Sequence, residues 1–102
     1  MRIYISGKIT GLNAEVSQQY FQQVEDLLTN AGHIALNPWK ILPFHPDLTW
    51  HDYMAEDAKA IIHCDAIIML ENWRESKGAK VEHSLAESLG LKMFYMKNHD
   101  LF

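Results

Sequence analysis

The run Ala66-Ile67-Ile68-Met69-Leu70 is apolar at every position, with no polar alternation. Such a run reads as a buried strand, and a strand apolar on both faces needs helices packed on either side of its sheet. The flanking sequence supplies them. Before the run, Trp50, Tyr53, Met54, Asp57, Ala58, Ile61 and Ile62 recur at helical spacing; after it, Gly78, Glu82, Leu85, Ala86 and Leu89 form one face of another helix. Arg2-Ile3-Tyr4-Ile5-Ser6, His33-Ile34-Ala35-Leu36 and Lys92-Met93-Phe94-Tyr95-Met96 are short and β-rich and read as further strands. Val16, Tyr20, Val24, Leu27, Leu28 and Ala31 mark an additional helix, with Asn13 as its N-cap and Gly32 as its stop. Thr49 caps the helix over Trp50 to His63, Asp52 stands in its first turn, and Gly90 ends the helix that begins near Gly78.

Strands alternating with helices at this spacing imply βαβ units, right-handed crossovers and a parallel sheet. The expected fold is α/β: a three-layer sandwich with a parallel sheet of about four strands in the order 2-1-3-4, flanked by three helices. The loops after the first three strands then meet at the carboxyl edge, where ligands bind in such sheets. Those loops are Gly7 to Gly11, Asn37 to Leu48 and Leu70 to Gly78, which are also the compositionally unusual segments of the chain. Lys97 to Phe102 is a tail with no clear structure, whose Leu101 and Phe102 are apolar enough to dock on a neighbour.

The 102 residues suit one domain, 1–102, and the 48% hydrophobic content is enough for a core. With Lys plus Arg at 9 and Asp plus Glu at 13, the formal net charge is −4, which argues against a broad nucleic-acid surface. No segment is apolar over the ~18 residues of a membrane span, and the N-terminus enters a strand at once without the pattern of a signal peptide. The one cysteine, Cys64, rules out an internal disulfide and reads as an inert buried thiol at a helix–strand junction. A cytoplasmic location is expected. His33, His45, His51, His63, His83 and His99 make no ligand pair of convincing spacing, so no metal is expected, and no cofactor is implied. Ser76 lacks a G-x-S-x-G context, which disfavours a serine hydrolase.

Ser76-Lys77-Gly78 lies between a strand and a helix, where free backbone N–H groups at the helix N-terminus favour an anion. Glu82 follows about one turn on, and that position predicts a charged carboxylate at neutral pH. Gly7-Lys8-Ile9-Thr10-Gly11 is either a phosphate or sugar loop or a plain tight turn; its glycines permit close approach of a ligand. In the loop of ~12 residues after Asn37-Pro38-Trp39, the aromatics Trp39 and Phe44, with His45, either wall an aromatic base or cover the sheet edge.

Asp57 falls in the middle of its apolar stripe, and Glu82 lies on the apolar face of its own helix near the ligand end, while Glu87 points away. A lone buried carboxylate is costly, so each must either find backbone N–H or Lys partners or line a polar pocket. Two inward acids on separate helices are the minimum equipment for glycosidic chemistry, one attacking or stabilising an oxocarbenium-like carbon and the other assisting the leaving group.

Ile3-Tyr4-Ile5-Ser6-Gly7, Asn37-Pro38, Asp57 with Asp65-Ala66, and Ser76-Lys77-Gly78-Ala79-Lys80-Val81-Glu82 together resemble the nucleoside 2-deoxyribosyltransferase superfamily, and in particular its small DUF4406 branch, often phage-encoded or bacterial. The resemblance covers nearly all of the chain up to Met96 and implies a flavodoxin- or Rossmann-like sheet. It also implies roles. The glutamate matching Glu82 is the nucleophile at C1′ of a 2-deoxynucleoside, the acid matching Asp57 assists the base, and the tyrosine matching Tyr4 orients the glutamate. The transferases carry an aspartate where Ser76 stands. The 2′-deoxynucleoside 5′-monophosphate N-hydrolases carry serine there, together with a first loop like Gly7-Lys8-Ile9-Thr10-Gly11, and in them the two loops contact the 5′-phosphate. A hydroxyl can donate to a phosphate that an aspartate would repel.

The expected site is therefore Glu82, Asp57 and Tyr4 for catalysis, and Ser6, Gly7, Lys8, Ile9, Thr10, Gly11, Asn37, Pro38, Trp39, Trp73, Ser76, Lys77 and Gly78 for a small-molecule nucleoside or nucleotide, with Lys8 or Lys77 supplying charge. The expected activity is N-glycosidic cleavage or transfer. The alternatives are a non-catalytic nucleotide-binding or sensor module, and a structural oligomer whose inward acids are interface charges. A homo-oligomer, with no extended nucleic acid and no membrane as partner, completes the expectation.

Overall fold

The computed structural model describes residues 1–9, 11, 13–42 and 45–97. Four parallel strands, β1 (Arg2–Ser6), β2 (Ile34–Leu36), β3 (Ala66–Met69) and β4 (Lys92–Tyr95), form one sheet in the order β2-β1-β3-β4, as the sequence predicts. The register places Ile5 beside Ile68 and Ile68 beside Phe94, so one face carries a continuous apolar row across β1, β3 and β4.

Helix α1 (Ala14–Asn30) covers that face with Phe21, Val24 and Leu28 against Ile3, Ile5, Ala66, Ile68 and Leu70. On the other face, α3 (Trp50–Ile62) and α4 (Lys77–Ser88) bring Ile61, Ala79 and Ala86 against Tyr4, Ile67 and Met69. β3 is buried at all of its residues, which explains its unbroken apolar run.

The caps act as the sequence suggests. The Asn13 side chain accepts from the Val16 N–H, and Thr49 forms a reciprocal capping box with Asp52. The stripes are less regular. Val16, Ile62 and Leu89 are exposed, whereas Ser17 and Phe21 are buried in α1. Burial follows contact with the sheet, and the ends of each stripe overhang it.

Four helices are present among the described residues rather than the expected three. The additional one, α2 (Pro38–Ile41), occupies the start of the predicted loop; a short 3-10 turn, Trp73–Glu75, precedes α4. Pro38 sits in the first turn, where its missing N–H costs nothing, and the Asn37 side chain accepts from the Trp39 N–H. Pro43, Phe44 and the tail with Leu101 and Phe102 lie outside the described residues.

Candidate functional site

Ser6 ends β1 and Met69 ends β3, and β1 and β3 are the point where the strand order reverses. The loops leaving them run to opposite faces of the sheet and leave a crevice at the carboxyl edge. A cleft of about 740 Å³ opens there. Tyr4, Asp57 and Glu82 line its floor; Gly7, Lys8, Ile9, Ser76, Lys77 and Gly78 border it on the two loops; Pro38, Trp39, Leu42, Trp50, Tyr53 and Met54 give it an apolar wall.

The floor is a hydrogen-bonded set drawn from three elements. Glu82, 5% exposed on α4, is held at both oxygens: the Ser6 hydroxyl donates to Oε1 at 2.7 Å and the Tyr4 phenol to Oε2 at 2.9 Å. Tyr4 and Ser6 alternate with Ile3 and Ile5 along β1, so the period of a strand puts both hydroxyls on the face that α3 and α4 cover. Asp57 arrives from α3 and lines the same floor, close enough that it and the Tyr4 and Glu82 groups perturb one another's titration. The two acids therefore converge.

Their protonation differs from the expectation for Glu82. Burial, then the neighbouring Asp57 charge, push the Glu82 carboxyl up to about 8, against the lowering contacts of Ser6 and Tyr4. Burial likewise raises Asp57 to about 6, with its Glu82 and Tyr4 hydrogen bonds working the other way. Both carboxyls are thus held above their ordinary range, so the pair retains a proton towards neutral pH. The helix N-terminus does not ionise Glu82, because its side chain leaves the helix axis and enters the sheet side, where desolvation is the larger effect. Burial and the two carboxyls also hold the Tyr4 phenol well above its usual range, so it remains a donor.

The remaining predicted residues divide. Lys8, Ile9, Pro38, Trp39, Ser76, Lys77 and Gly78 border the cleft. The Ser76 hydroxyl caps α4 by accepting from the Ala79 N–H at 3.1 Å, and Lys77 Nζ sits 4.6 Å from the Trp50 ring centroid. By helix geometry the first N–H groups of α4 lack intrahelical partners and face this end. Gly7 borders the cleft for a packing reason: a Cβ there would lie 2.8 Å from Leu70 Cδ1. Ser6 is fully buried beneath Glu82, so it acts on the carboxylate rather than on a ligand.

Asn37 is buried and engaged in its cap, Gly11 is exposed at φ +85, and Trp73 stacks on His83 at 4.3 Å; none of these borders the cleft. Thr10 lies outside the described residues. Trp50, Tyr53 and Met54 are cleft residues that sequence reasoning assigns to the core instead. Their spacing with Asp57 is the available signal: residues sharing a face with an inward acid share its cavity. Among the described residues no group of His, Cys, Asp and Glu is arranged to hold a metal ion, and no helix is long and apolar enough to cross a membrane.

A family model described as a domain of unknown function, DUF4406, matches residues 1–95. No curated protein sequence matches the chain. Among solved structures, the 2-deoxyribosyltransferase of the psychrotolerant bacterium Bacillus psychrosaccharolyticus superposes with a TM-score of 0.73 at 19% identity over 93% of this chain and 71% of that one. The Clostridium botulinum CMP N-glycosidase gives 0.66 at 18% identity, covering 93% and 67%. A Leishmania mexicana 2-deoxyribosyltransferase gives 0.71 at 20%, covering 93% and 63%. At these identities the likeness establishes a shared fold.

Proposed function

The chain belongs to the DUF4406 family, and we propose that it cleaves or transfers the N-glycosidic bond of a 2′-deoxynucleoside or its 5′-monophosphate, with Glu82 as nucleophile, Asp57 as the assisting acid and Tyr4 as the group that orients Glu82. The observation that carries this reading is the pair of buried acids at the floor of an open cleft, one of them gripped at both oxygens and both held above their ordinary range by burial. Bond cleavage needs one carboxylate and one carboxylic acid at the same moment, and a pair sharing a single proton supplies both. The fold shared with two deoxyribosyltransferases and a CMP N-glycosidase supports the same chemistry.

The proton balance is simple. Glu82 passes its proton to Asp57, and Asp57 passes it to the departing base. The Glu82 carboxylate forms the bond to C1′ as the C1′–N bond breaks. Water or a second base then attacks C1′, loses a proton to Asp57 and frees Glu82. Tyr4 and Ser6 fix the carboxylate on the line of attack, so little reorganisation is needed. The apolar wall suits a planar base. The Ser76–Gly78 turn, with Lys8 or Lys77, suits a phosphate.

The test is free-base release from a panel of deoxynucleosides and deoxynucleoside monophosphates, with Glu82→Ala as control. Release by wild type that the variant lacks is expected; no release across the panel, or equal release by the variant, rejects the activity. The burial of Glu82, with both of its oxygens already engaged by Tyr4 and Ser6, also favours a second reading, a nucleotide-binding module without turnover. Ligand that binds and is recovered intact would distinguish it.

A further inference from the structure

The turn that follows β3, Leu70 to Asn72, grips the first loop at three successive points. The Leu70 N–H donates to the Ser6 carbonyl at 2.8 Å, the Leu70 side chain fills the space against Gly7, and the Lys8 N–H donates to Asn72 Oδ1 at 3.0 Å. The same turn is tied to α1, because the Tyr20 phenol donates to Glu71 Oε2 at 2.5 Å. On its far side it runs directly into the second loop: the Trp73 N–H bonds the Leu70 carbonyl, and the Ser76 N–H bonds the Trp73 carbonyl, both through the short 3-10 turn. The two loops that border the cleft are thus joined by one hydrogen-bonded strap. Neither Glu71 nor Asn72 borders the cleft.

We propose that Asn72 is a positioning residue that sets the spacing between the Lys8 loop and the Ser76–Gly78 turn, and so sets the preference for a 5′-monophosphate over the free nucleoside. The inference rests on the proposed function for the identity of the ligand. Its physical basis is local. Asn72 touches the backbone of Lys8 and none of Tyr4, Ser6, Asp57 or Glu82. Removing its side chain unties the phosphate end and leaves the acid pair in place. A neutral amide is also the right acceptor here: it holds the N–H without adding negative charge beside an anion site.

The experiment compares a 2′-deoxynucleoside with its 5′-monophosphate for wild type, Asn72→Ala and Asn72→Asp. Loss of one part-buried hydrogen bond should raise KM for the monophosphate by about tenfold in Asn72→Ala, with kcat and the nucleoside KM within about twofold. Asn72→Asp keeps the acceptor, so it guards against simple misfolding: it should melt like wild type yet still bind the monophosphate more weakly. An equal loss for both ligands, a fall in kcat alone, or no change overturns the proposal.

If wild type turns over neither ligand, the proposed activity falls and the strap is read by calorimetry instead. Monophosphate affinity weakened by Asn72→Ala then supports it; unchanged affinity, or no binding of either ligand, overturns it.

Discussion

Tyr4 and Glu82 are joined by a 2.9 Å hydrogen bond between residues 78 positions apart. The bond fixes one carboxylate oxygen from the central strand, while Ser6, two residues along, fixes the other at 2.7 Å. Tyr4→Phe removes the first donor and keeps the ring that fills the core. A hydrogen bond to the carboxylate that Glu82 becomes once its proton has passed to Asp57 is worth roughly 1.5–3 kcal/mol, so kcat should fall about 10- to 100-fold with KM little changed. Base release under saturating substrate checks this, and a variant as active as wild type would remove Tyr4 from the mechanism.

The acid pair predicts a bell-shaped pH profile. Asp57 is raised to about 6 and Glu82 to about 8, so the singly protonated pair is the dominant form between those values. The profile of kcat/KM should rise near the lower value and fall near the upper one. In Asp57→Asn the charge that helps raise Glu82 is gone, and residual activity should show only an ascending limb, set by Glu82 at a pH below its wild-type value of about 8.

Stability should fall as the pH rises. Both acids hold their protons more tightly in the folded chain than at their ordinary values of 3.8 and 4.5, so between those values and about 6 and 8 the folded state binds more protons than the unfolded one. The stabilisation is complete below about pH 4 and is lost as the pH passes through the folded values. Melting temperatures at pH 5 and pH 8.5 should differ clearly in wild type, and the difference should shrink in Asp57→Asn/Glu82→Gln.

Gly7 should not tolerate a side chain. A Cβ there would approach Leu70 at 2.8 Å, within a fully buried contact. Gly7→Ala should cost about 1–3 kcal/mol by overpacking. Leu70→Ala opens the space, so the double variant should lose less than the sum of the two single losses in denaturant titrations.

Cys64 is 7% exposed, its thiol donates to the Ala60 carbonyl at 3.3 Å, and burial pushes it up to about 11. Alkylation by iodoacetamide at pH 8 should be slow in the folded protein and fast in denaturant.

The sheet order and the two acids are legible in the sequence because each rests on a strong local signal. The unbroken Ala66–Leu70 run demands a central strand, and a carboxylate in an apolar stripe demands a polar hollow. The start of α2 is hidden because Pro38 signals both a turn and a first helical residue, and only the Asn37 cap separates the two. The ionisation of Glu82 is not legible, because the inward face and the helix N-terminus push its carboxyl in opposite directions, and only the depth of burial decides between them. Ser6 reads as a ligand contact from its loop, although its alternation with Ile5 and its shared face with Tyr4 place it beneath the acids. Trp73 and Gly11 look like site residues from their loops alone, and sequence neighbourhood says little about which side of a turn meets the cleft.

The floor of the cleft takes one group from the first strand, one from the middle of the chain and one from the last helix. No fragment shorter than that span can assemble it. Whatever grips those groups must therefore reinforce the domain as a whole rather than one corner, so occupancy should register in a global melt and in slowed amide exchange at β1 and α4 together.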